Sequence, residues 1–140
     1  MNERGSVTLW LLGLSMCLMT LGAVSVDLWN LMAHRRELAA IADASARAAA
    51  GAVDEGAWRI EGDLRIDAPE ARRRALAVVL SHSEVAGSVD LDPGWIRIDP
   101  GSGSIRVSLT EQVPTALLGL AGRGVVTIGA ASEAVAVVSP

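Results

Sequence analysis

Residues 5–26 read GSVTLWLLGLSMCLMTLGAVSV, an apolar stretch without a charged residue. At about 1.5 Å per residue, a helix of about 20 residues crosses a hydrocarbon core of roughly 30 Å. Trp10 and Trp29 stand 19 positions apart, or about 28 Å along a helix, which suits the two aromatic belts of a bilayer. The stretch therefore predicts a transmembrane helix, with Asp27 at its far interface.

A cleaved secretory signal is the alternative interpretation of this stretch. Ala23, Val24 and Ser25 resemble a cleavage site, and Arg4 supplies a positive charge before the apolar run. The run is longer than the roughly 7–15 apolar residues of a signal peptide, and the helical pattern continues past the cleavage site. We therefore expect a retained anchor. The residues expected at the membrane interfaces are Trp10, Asp27, Trp29, Arg35 and Arg36.

Small side chains follow one face of the apolar stretch at helical spacing, at Gly13, Cys17 and Thr20. Such a stripe lets membrane helices approach closely, so self-association through this helix is one predicted contact. The chain has one cysteine, Cys17. An intramolecular disulfide and a cysteine-based zinc cluster are therefore excluded.

The composition limits what can follow the anchor. A chain of 140 residues has room for one domain, and without Phe or Tyr its core must come mainly from Val, Ile, Leu and Ala. The formal net charge is −4, and all 12 basic residues are arginine. The basic run at residues 72–74 has no aromatic residues among it, which favours a solvated helix face. No nucleic-acid partner is expected.

Residues 34–53, HRRELAAIADASARAAAGAV, continue the helical pattern beyond the anchor. Ala, Leu, Glu and Arg are strong helix formers, and the first glycine of this stretch is Gly51. Apolar and small residues recur at helical spacing and define a packing seam, formed by Leu38, Ile41, Ala42, Ser45 and Ala49. Two interpretations remain open. The seam rests on the chain's own distal domain, or it packs lengthwise against helices of other protein copies.

The chain divides into residues 1–53, the anchor with its helical extension, and residues 54–140, a small distal domain. Alternating apolar residues predict one hairpin around residues 61–63 and a clearer one from 95 to 110, turning at residues 100–103. A last strand is expected from 125 to 138. These strands predict an antiparallel sheet.

Two short helices are expected beside the sheet. The first runs from Pro69 to about His82, with Leu76, Val79 and Leu80 on its inner face. The second begins at Pro114 and runs to about residue 121. Together with the long helix at the N-terminus, these elements predict an α+β fold.

Groups capable of catalysis or metal binding are few. His34 flanks the apolar span beside two arginines, and His82 lies near a helix end, where a cation is favoured. Asp90 and Asp92 precede a Pro-Gly turn without the ligand series of a calcium loop. We therefore predict no catalytic residue, no cofactor, no metal site and no enzymatic activity.

Four segments together resemble the N-terminal signature of a known family. They are ERGSV at 3–7, AVSVDL at 23–28, the arginines at 35–36 and LAAIADASARAAA at 38–50. This pattern is similar to that of the TadE/TadG-like family of the tight adherence (Tad) system, which builds Flp-type pili. Trp29 stands where the family has a glycine, and Arg47 takes the place of a leucine.

The resemblance implies a non-enzymatic, membrane-anchored component of Flp pilus assembly or of the secretion apparatus, either a TadG-like minor pilin or an accessory subunit. Its implied partners are the lipid bilayer and other Tad proteins. Processed pilin-like subunits carry a glutamate five residues after the glycine at the cleavage site. Trp10 stands in that position relative to Gly5, which favours the unprocessed, TadG-like branch.

The orientation follows from the resemblance as well, which implies a single pass with most of the chain outside the cytoplasm. The arginines at 4, 35 and 36 do not support that orientation by the positive-inside rule. The alternative function is a secreted or membrane-anchored extracytoplasmic binding module unrelated to pili. Neighbouring genes for a pilus ATPase, a prepilin peptidase and Flp-like pilins would distinguish the two.

Overall fold

The computed structural model describes residues 3–54, 65–82, 87–99, 102–115, 118–119, 122 and 124–136. Two helices and four strands make up the described part of the chain. They are α1 (Glu3–Ala50), α2 (Ala68–Ser81), β1 (Val89–Asp90), β2 (Ile96–Asp99), β3 (Ser104–Pro114) and β4 (Val125–Val135). A long apolar helix, a short helix and an antiparallel four-stranded sheet confirm the predicted α+β class.

Helix α1 is continuous over 48 residues, or about 72 Å. Residues 6–26, here called the free half, are exposed throughout except for Ala23, which is half-buried. Leu9 and Met19, for example, are 76% and 79% exposed. From Asp27 to Ala50, here called the docked half, one face of the helix is buried. The same helix therefore has an unpacked apolar half and a half that belongs to the domain.

Strand β3 is the centre of the sheet. Strand β4 pairs with it antiparallel along its whole length, from Ser104↔Val135 to Pro114↔Val125. Strands β2 and β1 pair with β3 at residues 104–107 and 110–111. Since those β3 residues also pair with β4, β2 and β1 lie end to end along the opposite edge. The predicted hairpin between β2 and β3 is confirmed, and Gly103 supplies its positive φ of 65°.

The core lies between the inner face of the sheet and the two helices. Ile105, Val107 and Leu109 of β3 alternate inward and are fully buried. The docked half of α1 packs on β3, β4 and α2. The core cluster includes residues from 38 to 52 as well as residues from 71 to 109. The predicted division at residues 53 and 54 stays a prediction, and the core draws on both sides of it.

Two of the three residues predicted for the inner face of α2, Leu76 and Val79, contact the core, and the third, Leu80, does not. Ala71, Ala75 and Val79 are its buried residues, whereas Leu76 is half-buried. Leu80 is 58% exposed, so its predicted inward position is wrong. Alanines one turn apart let α2 approach the Ala-rich face of α1 closely, and Leu80, about 100° around the helix from Val79, turns away.

Local signals at the start of α2 agree with the prediction. The Asp67 side chain accepts a hydrogen bond from the Glu70 backbone N–H at 3.0 Å, and Pro69 lies in the first turn. The predicted hairpin turn at residues 61–63 lies outside the described residues, although Val53 and Ile66 on either side form an antiparallel bridge.

The second short helix is not present where it was predicted to begin. Pro114 is the last residue of β3 and does not open a helix. Strand β3 extends to Pro114 because β4 supplies hydrogen-bond partners along its full length. Residues 116–117 and 120–121 of the predicted helix lie outside the described residues, as do residues 137–140 of the predicted last strand. Strand β1 was not predicted, since its two residues carry no alternation.

Candidate functional site

The free half of α1 has the properties of a segment that can cross a bilayer. It is long and apolar enough to do so by length and composition. Its large apolar side chains project outward, among them Leu11, Leu14 and Leu18 at 43–61% exposure. Thr20 and Ser25 donate their hydroxyl hydrogens to the carbonyls of Met16 and Leu21, each at 2.8 Å. Polar groups satisfied within the helix lower the cost of placing it in hydrocarbon.

The packing seam is buried inside the chain. Leu38, Ala42, Ser45 and Ala49 have no exposed surface, and Ile41 is 2% exposed. They belong to the half of α1 that packs on α2, β3 and β4. The structure therefore shows the first of the two sequence interpretations, in which the seam rests on the chain's own domain. Helices of other copies would have to contact a different face.

Four of the five predicted interface residues are exposed. Trp10 and Trp29 are 68% and 71% exposed, and Arg35 and Arg36 also face outward. Asp27 differs, because only 5% of its surface is exposed. Its Oδ2 atom accepts a hydrogen bond from the backbone N–H of Leu118 at 2.9 Å. The sequence placed Asp27 at the interface but did not predict that the domain covers it.

A second polar contact joins α1 to β3. Glu111 points inward and is 4% exposed. Its Oε1 atom accepts a hydrogen bond from Ser88 Oγ at 2.9 Å and lies 3.5 Å from His34 Nδ1. Its Oε2 atom has no hydrogen-bond partner among the described residues. His34, which flanks the apolar span in the sequence, thus lies against the sheet.

A third polar contact lies further along the helix. Ser132 Oγ donates to Asp43 Oδ1 at 3.2 Å, and Asp43 forms an ion pair with Arg47. Asp27, His34 and Asp43 therefore contact residues 118, 111 and 132 in turn, and 132 pairs with Val107 of β3. Since the helix numbering rises while the β3 numbering falls, the docked half runs antiparallel to β3. Three polar contacts at different heights thus join the docked half to the sheet beside its buried apolar face.

The C-terminal end of the docked half is bound to α2. Arg74 Nη1 donates to the carbonyl of Gly51 at 2.9 Å, and Arg74 Nε donates to Glu70 at 2.7 Å. Hydrogen bonds from Arg74 and then Arg73 lower the pKa of Glu70 below its ordinary value. Two members of the arginine run thus pair with an acid on their own helix, as expected for a solvated face.

The outer face of the sheet is polar. Arg106 of β3 donates to Glu133 of β4 at 2.7 Å, and this hydrogen bond lowers the pKa of Glu133 below its ordinary value. His82 ends α2, with its backbone N–H donating to the Val79 carbonyl. Within the described residues, no group of three or more His, Cys, Asp or Glu side chains is arranged to hold a metal ion.

Comparison with known families identifies a similar segment at the N-terminus. A family model for Tad proteins, described as Flp pilus-assembly TadE/G-like, matches residues 5–52. This match confirms the resemblance predicted from the sequence, and it covers the free half and the docked half of α1 together. No curated protein and no solved structure matches the chain.

Proposed function

We propose that the chain serves Flp pilus assembly as a single-pass membrane subunit without enzymatic activity, since residues 5–52 match the TadE/G-like family model. It is a TadG-like minor pilin or accessory subunit. Its free half lies in the bilayer and its domain lies outside the cytoplasm. Its partners are the lipid bilayer and other Tad proteins.

The division of α1 into two halves is the observation that carries this proposal. Residues 6–26 are apolar and unpacked, whereas residues 27–50 form one side of the domain core. An apolar surface of this extent is unfavourable in water and favourable in a lipid bilayer. Because the helix is continuous across Asp27, a load on the domain would pass directly to the membrane segment. The chain is thus suited to hold a domain at a fixed height above a membrane.

Both histidines lie at structural contacts. His34 lies against Glu111 between helix and sheet, and His82 caps α2, with Nδ1 2.9 Å from the Val78 carbonyl. Partner proteins would then bind exposed surfaces of the domain, such as the polar outer face of the sheet. We propose that Tad proteins dock on the exposed surface of the domain and not on the packing seam.

The test is genetic, with piliation and membrane fractionation as its measurements. A strain lacking the gene should lose Flp pili, and the full-length chain should restore them. The double variant Leu14→Arg, Leu18→Arg should fail to restore pili, since each charge at mid-span raises the free energy of membrane insertion by about 3 kcal/mol. The matched control is Ala40→Arg, which adds the same side chain to an exposed position of the docked half.

The outcomes separate the parts of the proposal. Loss of membrane association and of pili in the double variant, with the control unaffected, supports both anchoring and the pilus role. A piliated deletion strain would refute the role in pilus assembly and favour a binding module unrelated to pili. A double variant that still fractionates with membranes would refute anchoring by the free half.

A further inference from the structure

The end of the β3–β4 hairpin lies beside the membrane end of the docked helix. We propose that this end, here called the domain tip and built around Pro114, Leu118 and Val125, is a second membrane-contacting element that rests on the lipid surface. The proposal depends on the membrane anchoring proposed above and adds a second site of lipid contact. Its partner is the interfacial region of the bilayer around the anchor helix.

The position of the tip follows from the polar contacts of α1. His34 lies against Glu111, and Asp27 accepts a hydrogen bond from Leu118. Pro114 lies three strand residues beyond Glu111, or about 10 Å. Asp27 lies seven helix residues before His34, also about 10 Å. The strand end and Asp27 are therefore at the same height along the helix.

Asp27, and with it the end of the strand, lies closer to the membrane than Trp29 does. Trp29 follows Asp27 by two residues, so Asp27 lies about 3 Å closer to the bilayer centre. Burial on this side of the helix begins still earlier, at Ala23, about 9 Å before Trp29. If Trp29 lies in the aromatic belt, the domain tip must reach the headgroup region.

The composition of the tip suits that environment. The described residues of this stretch, 113–115, 118–119, 122 and 124–126, include no charged side chain. Pro114 and Val125 are exposed, the latter by 56%. The opposite end of the sheet is polar, where Ser102 Oγ donates to Asp99 at 2.9 Å. The apolar end of the domain is thus the end that faces the membrane.

The exposed apolar surface of α1 continues past Asp27 on the side away from the sheet. Leu28, Trp29 and Met32 are 51%, 71% and 50% exposed. This surface is continuous with that of the free half, so the lipid-facing surface reaches the height of the tip. Because this apolar surface is continuous with the membrane span, we expect the tip to contact lipid and not a soluble protein.

The tip also provides a hydrogen-bond donor for the carboxylate of Asp27. A carboxylate at the edge of the hydrocarbon region is costly unless it has a partner. Asp27 is covered by the protein and receives the Leu118 N–H. A tip that reaches into the interface therefore supplies in lipid the hydrogen bond that water would otherwise supply.

The test uses nitroxide labels on the full-length chain in nanodiscs of phosphatidylcholine and phosphatidylglycerol. In a Cys17→Ser background, single cysteines replace Val125 at the tip, Leu14 in the span and Ser102 at the far end of the domain. Collision rates with oxygen and with a water-soluble nickel chelate report contact with lipid and with water. A Leu118→Cys label is the second tip probe.

We expect the oxygen-to-nickel ratio at residue 125 to be several-fold higher than at residue 102 and lower than at residue 14. A ratio at both tip probes equal to that at residue 102, with a lipid value at residue 14, would overturn the tip contact and leave the anchor intact. A water value at residue 14 would instead overturn the anchor. Tip labels shielded from both reagents would show that the tip is buried against protein and would overturn the lipid assignment.

Discussion

Replacing Ala42 by arginine should strongly destabilise the domain without lowering the helix propensity of α1. Ala42 has no exposed surface, and its neighbours on the same face, Leu38, Ala46 and Ala49, are also fully buried. The position lies in the middle of the docked half, so a long side chain has no short path to solvent. Arginine ranks close behind alanine as a helix former, so the local helix should persist.

Two effects set how much the free energy of unfolding falls in Ala42→Arg. Overfilling a packed core costs about 1–3 kcal/mol, and an unpaired buried charge costs several kcal/mol more. A combined loss of about 4 kcal/mol or more is a large share of the roughly 5–15 kcal/mol that stabilise a typical domain. At about 4–8 °C per kcal/mol for a domain of this size, the unfolding midpoint should fall by about 16 °C or more.

Thermal unfolding of the full-length chain in detergent micelles measures this change. Trp95 is 8% exposed in the core, so the near-ultraviolet circular dichroism of its ring reports the packed domain. The matched control is Ala40→Arg, which adds the same side chain at an exposed position and should change stability by less than about 0.5 kcal/mol. Equal midpoints for the two variants would refute the burial of the seam within the chain.

Two further predictions concern α2. Asp67→Ala should lower stability by about 0.5–2 kcal/mol because it removes the cap on the Glu70 N–H, whereas Asp67→Asn should retain most of it; chemical denaturation measures both. The pKa of Glu70 lies below its ordinary value of 4.5 because of hydrogen bonds from Arg74 and Arg73, so its contribution to stability is present above pH 4.5 and lost as pH falls through the lowered pKa. Glu70→Gln should therefore flatten the decline of stability in acid, and an unchanged decline would contradict the assignment.

Local sequence patterns predict much of the fold. The apolar run at 5–26 predicts the free half from composition and length alone. The β2–β3 hairpin follows from alternating residues around a turn that contains Gly103, whose positive φ favours glycine. The start of α2 follows from Asp67, Pro69 and Glu70, because capping and first-turn preferences involve only neighbouring residues.

The remaining features depend on contacts that are distant in sequence. The sequence predicts Leu80 on the inner face of α2, but the helix packs on the Ala-rich face of α1 through Ala71 and Ala75. The sequence predicts a helix start at Pro114, but pairing with Val125 makes this residue the end of a strand. The hydrogen bond to Asp27 comes from the backbone of Leu118, which is 91 positions away in the sequence. Nothing in the local sequence around Leu118 indicates that its backbone contacts Asp27.

We propose that α1 crosses the membrane and carries the domain to the outside of the cytoplasm. Labelling of Ser102→Cys in a Cys17→Ser background tests it most directly, since Ser102 is exposed at the far end of the domain. A small thiol reagent that cannot cross the cytoplasmic membrane should label this cysteine in intact cells as fully as in lysed cells. Labelling that requires lysis would place the domain in the cytoplasm and contradict both the topology and the proposed role in pilus assembly.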